Sequence, residues 1–289
     1  MSMGYSGLAK IDGAQFLVTS MNVPEARVKL DSSSAYSGSI NPLYPTRGLY
    51  TPRTYDYPAN DGSIGFDMAA GFGTIIKNWI LNRKSSREIF YVPCSGSSQQ
   101  FEECFWSNIS MNASEGSAVS GDISFTAVTR DEEIIGSNYI ADRTGQITCE
   151  EITALLPLNP DAAQVAPVPF WRSSIDGNIM TGAKPVSWTL NFNQEITRHF
   201  LCEAYSDPQP PSIIGIGKMT CELQIELFIV PGTTYDLEES VFTPLTINIG
   251  EGTDFVLSSL DLQDHSHGLK GLSDASTMSI TYHAYAMAA

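Results

Sequence analysis

The sequence predicts a mainly β protein made of two tandem domains. Three observations predict it: apolar and polar residues alternate with a period of two in most segments, a single stretch has helical periodicity, and the order of segments occurs twice. The predicted domains cover residues 1–150 and 166–289. A proline-rich linker at residues 151–165 separates them.

The clearest strand signals lie in the second predicted domain. From Val186 to Asn193 large apolar residues occupy every second position, and residues 221–227 repeat the pattern. A period of two places the apolar side chains on one sheet face and the polar ones on the other. Further strands are predicted at residues 15–23, 62–68, 105–111, 122–128, 246–249, 255–262 and 277–285.

One segment is predicted to be helical. The apolar side chains of Phe72, Ile75, Ile76, Trp79 and Ile80 recur at i, i+3, i+4, i+7 and i+8. This spacing places them in one stripe of a helix. We therefore expect a helix over residues 72–81 that packs these five side chains against a sheet.

The order of the predicted segments is the same in both halves. A strand, a short polar turn and a return strand are predicted at 15–30 and at 186–199, and each is followed by an irregular, proline-bearing stretch, 31–55 or 200–211. A strongly alternating strand follows, 63–68 or 219–229, and a pair of strands within 105–128 or 257–285 ends each half. This match of pattern and order predicts an internal duplication.

The charge balance is strongly acidic. The 289 residues include 32 acidic and 16 basic residues, which gives a formal net charge of −16. Such a surface repels phosphate, so binding to duplex DNA by counterion release is disfavoured. No basic segment followed by an apolar run begins the chain, and no apolar run approaches the roughly 18 residues of a membrane helix. We expect a soluble protein made in a cytoplasm, with no membrane partner.

Motifs for catalysis or cofactor binding are absent from the sequence. It contains no GxSxG, GxxxxGK[ST] or HExxH, so we predict no enzyme, no catalytic residues and no cofactor. His265 and His267, with Asp261 and Asp264, offer metal ligands, but residues 264–271 have the composition of a polar turn. Five widely spaced cysteines without CxxC argue against a disulfide framework or a thiolate zinc site. No metal site is predicted.

Several short phrases of the sequence are characteristic: Ala-Lys-Ile-Asp-Gly at 9–13 followed by Phe-Leu-Val-Thr-Ser at 16–20, Ala-Tyr-Ser-Gly at 35–38, and Val-Ser-Gly-Asp-Ile-Ser-Phe at 119–125. These phrases resemble the phage tail tube family. With the order of segments, the resemblance covers nearly the whole chain. It implies two tandem tail-tube-like domains, each a β-sandwich or half-barrel of two packed antiparallel sheets. It also implies a flanking helix and a long loop between the second and third strands.

The resemblance implies a function as well. A member of this family is a structural subunit of a phage or phage-like tail tube, found in the virion tail and made in the host cytoplasm. A chain with two such domains is expected to assemble with itself into a trimeric ring with pseudo-sixfold symmetry, and the rings to stack into a tube. Sheath, hub or terminator proteins would be its neighbours, and DNA would pass without tight binding.

Polar residues opposite apolar strand faces are the candidates for lining such a channel. They are Asp67, Thr189, Asn191, Asn193, Glu222, Gln224 and Glu226. A lumen of this composition would repel the phosphate backbone. A solvated outer sheet face explains the same pattern equally well.

The long stretch before residue 60 is rich in tyrosine and proline. A loop of this length inside a compact domain is uncommon unless it is functional. We expect Tyr36, Tyr44, Tyr50, Tyr55 and Tyr57 to make an inter-ring or inter-subunit contact, with a self-packed surface loop as the alternative.

Two other functional classes stay open. A duplicated β-sandwich binding or decoration module, in a virion or a tail baseplate hub, would expose an aromatic cleft. A hydrolase on a β scaffold would need clustered carboxylates with perturbed pKa values, and the sequence shows no nucleophile or metal motif for it.

Overall fold

The computed structural model describes residues 5–12, 14–22, 60–69, 71–93, 99–132, 167–176, 183–199, 213–229, 243–250, 252–269 and 276–288. Thirteen antiparallel strands in this part of the chain are hydrogen-bonded into one sheet system, with one α-helix. The predicted mainly β class is confirmed. The linker at 151–165 and the five loop tyrosines lie outside the described residues.

The first strand set precedes residue 133. Its elements are β1 Gly7–Ile11, β2 Ala14–Asn22, β3 Asn60–Asp67, α1 Phe72–Leu81, β4 Arg87–Pro93, β5 Gln99–Ser114, β6 Ser120–Ala127 and β7 Thr129–Glu132. The second strand set follows a short 3-10 turn, Phe170–Arg172. Its elements are β8 Ser174–Asp176, β9 Ala183–His199, β10 Ile213–Ile229, β11 Leu245–Asn248, β12 Asp254–Leu269 and β13 Ser276–Ala288.

Six strands of the first set close into an antiparallel barrel in the order β4-β1-β2-β3-β6-β5. The pairing of β4 with β5 closes it. Strand β5 is long enough for two roles, because its residues 99–104 pair with β4 whereas its residues 108–114 pair with β9. The barrel is therefore continuous with the second strand set. The expected pair of packed sheets in each half stays a prediction.

The second strand set repeats the pairing order of the first. Its order β9-β10-β13-β12-β11-β8 corresponds, strand by strand, to β2-β3-β6-β5-β4-β1. The remaining pair of the barrel, β1 with β2, has no counterpart between β8 and β9 among the residues described. Six strands thus recur in one order, and within the described residues only the first six close into a barrel.

Two β-bulges also recur at equivalent places. The register of β5 against β6 shifts between Trp106 and Asn108, and that of β12 against β13 shifts between Leu262 and Asp264. The register of β2 against β3 shifts between residues 18 and 20, and that of β9 against β10 between residues 185 and 187. Bulges are built features of a sheet, so their recurrence aligns the two sets residue by residue.

Two local predictions are wrong. Residues 264–271 were expected to form a polar turn, but β12 continues to Leu269 because β13 pairs with it along this length. His265 therefore lies in a strand, opposite Ile280. Residues 186–199 were expected to contain a turn, but they belong to the single strand β9, which pairs with β10 throughout.

The buried side chains form one continuous cluster that includes residues of both strand sets. Helix α1 spans the predicted residues, with Phe72, Ile76, Trp79 and Ile80 buried and Ile75 packed against the cluster. The ring of Phe72 stacks on that of Phe16, with centroids 3.9 Å apart. Both strand sets therefore share a single core.

Helix α1 also contacts the second strand set. A Cβ atom at Gly73 would lie 2.5 Å from the Cδ1 atom of Ile249, so any larger residue here would require this buried side chain to shift. One residue further on, the hydroxyls of Thr74 and Thr253 lie 2.9 Å apart. The structure thus gives Gly73 a packing role at the start of the helix.

Candidate functional site

A continuous polar face crosses eight neighbouring strands, in the order β2-β3-β6-β5-β9-β10-β13-β12. Residues directly opposite each other in antiparallel strands share a sheet face. The pairings can therefore be followed across the sheet as rows, and four rows consist of polar residues almost throughout.

The polar face is defined by these four rows, written in the direction from β2 towards β12. The rows are Asp67, Ser120, Asn112, Thr189, Gln224, Thr281 and Asp264; Asp122, Ser110, Asn191, Glu222, His283 and Asp261; Asn22, Ser63, Ser124, Asn108, Asn193 and Thr220; and Ser114, Ser187, Glu226, Ser279 and Ser266. None of these side chains is buried, and none is a lysine or arginine.

The opposite face of the same strands belongs to the core. One row of it contains Ile64, Ile123, Ile109, Phe192 and Cys221 in successive neighbouring strands. All five are at least nine-tenths buried. Burial of one face fixes the register, because a slip by one residue would turn every side chain to the wrong side. The polar face is therefore set by the packing of the core.

Hydrogen bonds link neighbouring side chains on the polar face. The Nδ2 atom of Asn108 donates to Oδ1 of Asn193 at 2.7 Å, across the junction of β5 and β9. Nε2 of Gln224 donates to Oε1 of Glu222 at 2.8 Å, and Nε2 of His283 lies 3.4 Å from the other carboxylate oxygen of Glu222. An amide and an imidazole thus contact the carboxylate of Glu222.

Asp67 has a different environment from the other carboxylates of the polar face. The hydroxyl of Tyr5, which precedes β1, donates to its Oδ2 atom at 2.7 Å. Burial raises the pKa of Asp67, and the hydrogen bond from Tyr5 offsets part of this increase. Burial also raises the pKa of Tyr5, and the nearby carboxylate adds to the effect.

One arginine joins the two strand sets at the end of the polar face. Arg198 in β9 bonds through Nη2 to Oδ1 of Asp61 in β3 and, at 2.9 Å, to Oγ1 of Thr126 in β6. Thr126 in turn donates to Asp61 at 2.6 Å. The guanidinium is thus held in an ion pair.

All seven candidate lining residues predicted from the sequence lie on this one face, which brings Asp67 of the first set into the same row as Thr189 and Gln224 of the second. Whether the face lines a channel stays a prediction. The sequence reasoning missed the residues of β5, β6, β12 and β13. Asn108 and Ser110 do alternate with apolar residues, but the bulge at Ser107 interrupts the period of two that would have identified them.

A second surface feature is a recess beside the 3-10 turn. It measures about 320 Å³ and is lined by Trp171, Asp176, Lys184 and Trp188, among others. The Trp171 side chain is 72% exposed, and the guanidinium carbon of Arg172 lies 5.0 Å from its ring centroid. An exposed tryptophan beside charged groups is typical of a contact for a partner.

The described residues contain no group of three histidine, cysteine or acidic side chains placed to hold a metal ion. Cys104 and Cys221 are free and buried, and burial raises the pKa of both thiols, that of Cys221 to about 12. In this part of the chain, none of the helical structure is long and apolar enough to cross a bilayer.

No protein-family model matches the sequence, and no curated protein matches it either. The class that the fold itself defines is an antiparallel β protein with a repeated strand order and a wide polar sheet face.

Proposed function

We propose that this chain is the structural subunit of a phage or phage-like tail tube, in which rings of the protein stack around a channel that conducts DNA. The observation that carries the proposal is the polar face, whose four rows cross eight strands and contain carboxylates, with Lys184 and the ion-paired Arg198 lying beyond the ends of these rows. The chain would act by assembly and not by catalysis.

The number of strands supports a ring of three copies. Neighbouring strands lie about 4.8 Å apart, so three eight-strand sheets would have a circumference of about 115 Å and a diameter of about 37 Å. Side chains of about 6 Å on each wall leave an opening of about 25 Å, which admits a DNA duplex. Strand tilt of about 35–45° widens this opening further.

The chemistry of the polar face suits a channel through which DNA slides. Arginine and lysine bind phosphate, and each such contact adds affinity that a moving duplex must break. Asp122, Glu222, Glu226 and Asp261 instead repel phosphate. The amides and hydroxyls between them are already engaged with one another in part, as Asn108 is with Asn193.

The repeated strand order supports two tube domains within one chain. Each would contribute four strands to the channel wall: β2, β3, β6 and β5 from the first, and β9, β10, β13 and β12 from the second. A ring of three such chains would then have pseudo-sixfold symmetry, and closed cyclic symmetry is common in homo-oligomers.

The assembly is tested by sedimentation velocity over a range of protein concentrations, with negative-stain electron microscopy of the largest species. We expect rings with an open centre and a mass of three chains, and stacks of rings at high concentration. A monomer at every concentration contradicts the proposal.

The orientation of the polar face is tested by labelling. Asn191→Cys is placed on the polar face, and Glu115→Cys, in an exposed turn, is the matched control. Each is modified with biotin-maleimide in assembled rings and then offered streptavidin, which is too large for a channel of about 25 Å. We expect both sites to take biotin and only the control to bind streptavidin. Equal streptavidin binding would place the polar face on the outside.

One observation favours a second candidate function, a binding or decoration module. The exposed Trp171 beside Arg172, Asp176 and Lys184 offers an aromatic contact for a partner or a carbohydrate. Under this alternative the protein stays monomeric and soluble polysaccharides quench its tryptophan fluorescence, whereas Trp171→Ala abolishes the quenching. Under the tube proposal Trp171→Ala leaves ring formation unchanged.

A further inference from the structure

Two strand edges at opposite ends of the polar face are open in the described residues, although their equivalents are paired. On its β11 edge, β12 pairs only through residues 254–257, and no described strand adjoins residues 266–269 there. On its β1 edge, β2 pairs through residues 14–18, and no described strand adjoins residues 20–22. Open edges are sites at which another chain can add a strand.

The chain itself shows what covers these edges in the other strand set. The segment of β5 equivalent to β12 266–269 pairs with β9, and the segment of β9 equivalent to β2 20–22 pairs with β5. The pairing of β5 with β9 within the chain therefore corresponds to a pairing of β12 with β2. The edges of β12 and β2 that would form this pairing are open in the described residues.

The recurring bulges give the register of that joint. Asn112 lies four residues after Asn108, at which the register of β5 resumes, and Gly268 lies four residues after the equivalent Asp264 in β12. Thr189 lies two residues after Ser187, at which the register of β9 resumes, and Asn22 lies two residues after the equivalent Ser20 in β2. Within the chain Asn112 is opposite Thr189. The equivalent pair is therefore Gly268 with Asn22.

We propose that β12 of one copy pairs antiparallel with β2 of the next copy, with Gly268 opposite Asn22 and Leu269 opposite Met21. This inference rests on the proposed ring assembly and specifies its joint. The contact is heterologous, since two different edges meet, and it closes when the rotation between copies divides a full turn. Asn22 is opposite Ser63 in β3, so the joint continues the polar face from one copy to the next.

Disulfide cross-linking tests the register. Asn22→Cys and Gly268→Cys are made as separate single variants in a background in which Cys94, Cys149 and Cys202 are serine; the buried Cys104 and Cys221 are kept. Directly opposite residues have Cβ atoms about 4.5–5.5 Å apart, against about 7–8 Å for diagonal neighbours, and a disulfide needs about 3.5–4.5 Å. Ser266→Cys is the control, because it lies two residues out of register. Circular dichroism and thermal unfolding of each single variant verify the fold.

We expect a disulfide-linked dimer when the Asn22→Cys and Gly268→Cys proteins are mixed and oxidised, with at least fivefold less when Ser266→Cys replaces Gly268→Cys. Hydrogen exchange of residues 20–22 and 266–269 should slow as rings form. Cross-linking of Gly268→Cys with itself would show two β12 edges meeting and would overturn the joint. Rings that form without the 22–268 link overturn the joint but leave the tube proposal standing. A monomer at every concentration overturns both.

Discussion

Glu103 in β5 and Ser259 in β12 hold the same position in the two strand sets, and both have a left-handed backbone, with φ of 51° and 54°. Each lies five residues before the residue that resumes the register after the bulge, Asn108 or Asp264. Positive φ is uncommon for residues other than glycine. Shared strain at matching positions favours descent of both strand sets from one duplicated unit.

This strain predicts that glycine is tolerated at both positions. Glu103→Gly and Ser259→Gly remove a left-handed cost of about 1–2 kcal/mol per residue, partly offset by the greater entropy of the unfolded chain. We expect each to leave the free energy of unfolding unchanged or to raise it by up to about 1 kcal/mol. The matched controls Glu102→Gly and Ser258→Gly, which lack positive φ, should lower it by about 1 kcal/mol. Urea unfolding measures all four; losses at positions 103 and 259 as large as in the controls would contradict the account.

The close approach of Gly73 to Ile249 predicts a clash when a methyl group is added. Gly73→Ala should lower the free energy of unfolding by about 1–3 kcal/mol, as overpacking does. Ile249→Val removes the Cδ1 methyl group that the new Cβ atom would contact. In the double variant it should therefore restore part of the lost free energy of unfolding. Thermal unfolding measures each variant. Purely additive effects would show that the helix does not press on this residue.

The shared core predicts a single unfolding transition. Because the buried residues of both strand sets form one cluster, the two sets should melt together in calorimetry. Fragments 1–150 and 166–289, expressed separately, should each expose core surface and fail to give a cooperative transition. Two resolved transitions, or two fragments that fold alone, would instead show independent domains.

The environment of Asp67 predicts a pH dependence. Its pKa is raised in the folded protein, so the folded state binds a proton more tightly than the unfolded state does. The stability that this group contributes is therefore lost as pH rises from the ordinary aspartate pKa through the raised value. Asp67→Asn keeps an acceptor for the Tyr5 hydroxyl and removes the buried charge. We expect it to raise the melting temperature near pH 7 and to have no such effect near pH 3, whereas Tyr5→Phe should lower it near pH 7. An equal effect of Asp67→Asn at both pH values would refute this cause.

The ion pair of Arg198 with Asp61 predicts energetic coupling between the strand sets. In a double-mutant cycle with Arg198→Ala and Asp61→Ala, we expect a coupling free energy of about 1 kcal/mol, because the pair is only partly buried. High salt should reduce it. A coupling free energy of zero at low salt would show that the contact adds nothing to the junction.

Local periodicity in the sequence was sufficient to predict the helix and the faces of two strands. The stripe from Phe72 to Ile80 predicted the helix, since a helical face depends on residues three or four apart. The alternation in β9 and β10 predicted which of their residues share a face, for the same local reason. Asp67, Thr189 and Gln224 could thus be chosen from the sequence, although their common row could not.

Other features depend on pairing between distant segments. Asp264, His265 and His267 have the composition of a turn, and only the partner strand β13 keeps them extended. The closure of the first barrel depends on β5 being shared between β4 and β9, which no single segment of sequence encodes. A bulge changes which alternate residues of a strand face the core, so a simple period of two did not identify Asn108 and Ser110.

The most direct test of the central claim is a cryo-electron microscopy reconstruction of the assembled protein at a resolution that shows side chains. We expect a ring of three chains whose channel wall carries Thr189, Asn191, Glu222 and Glu226. A ring with these side chains on its outer surface, or a protein that forms no ring, would contradict it.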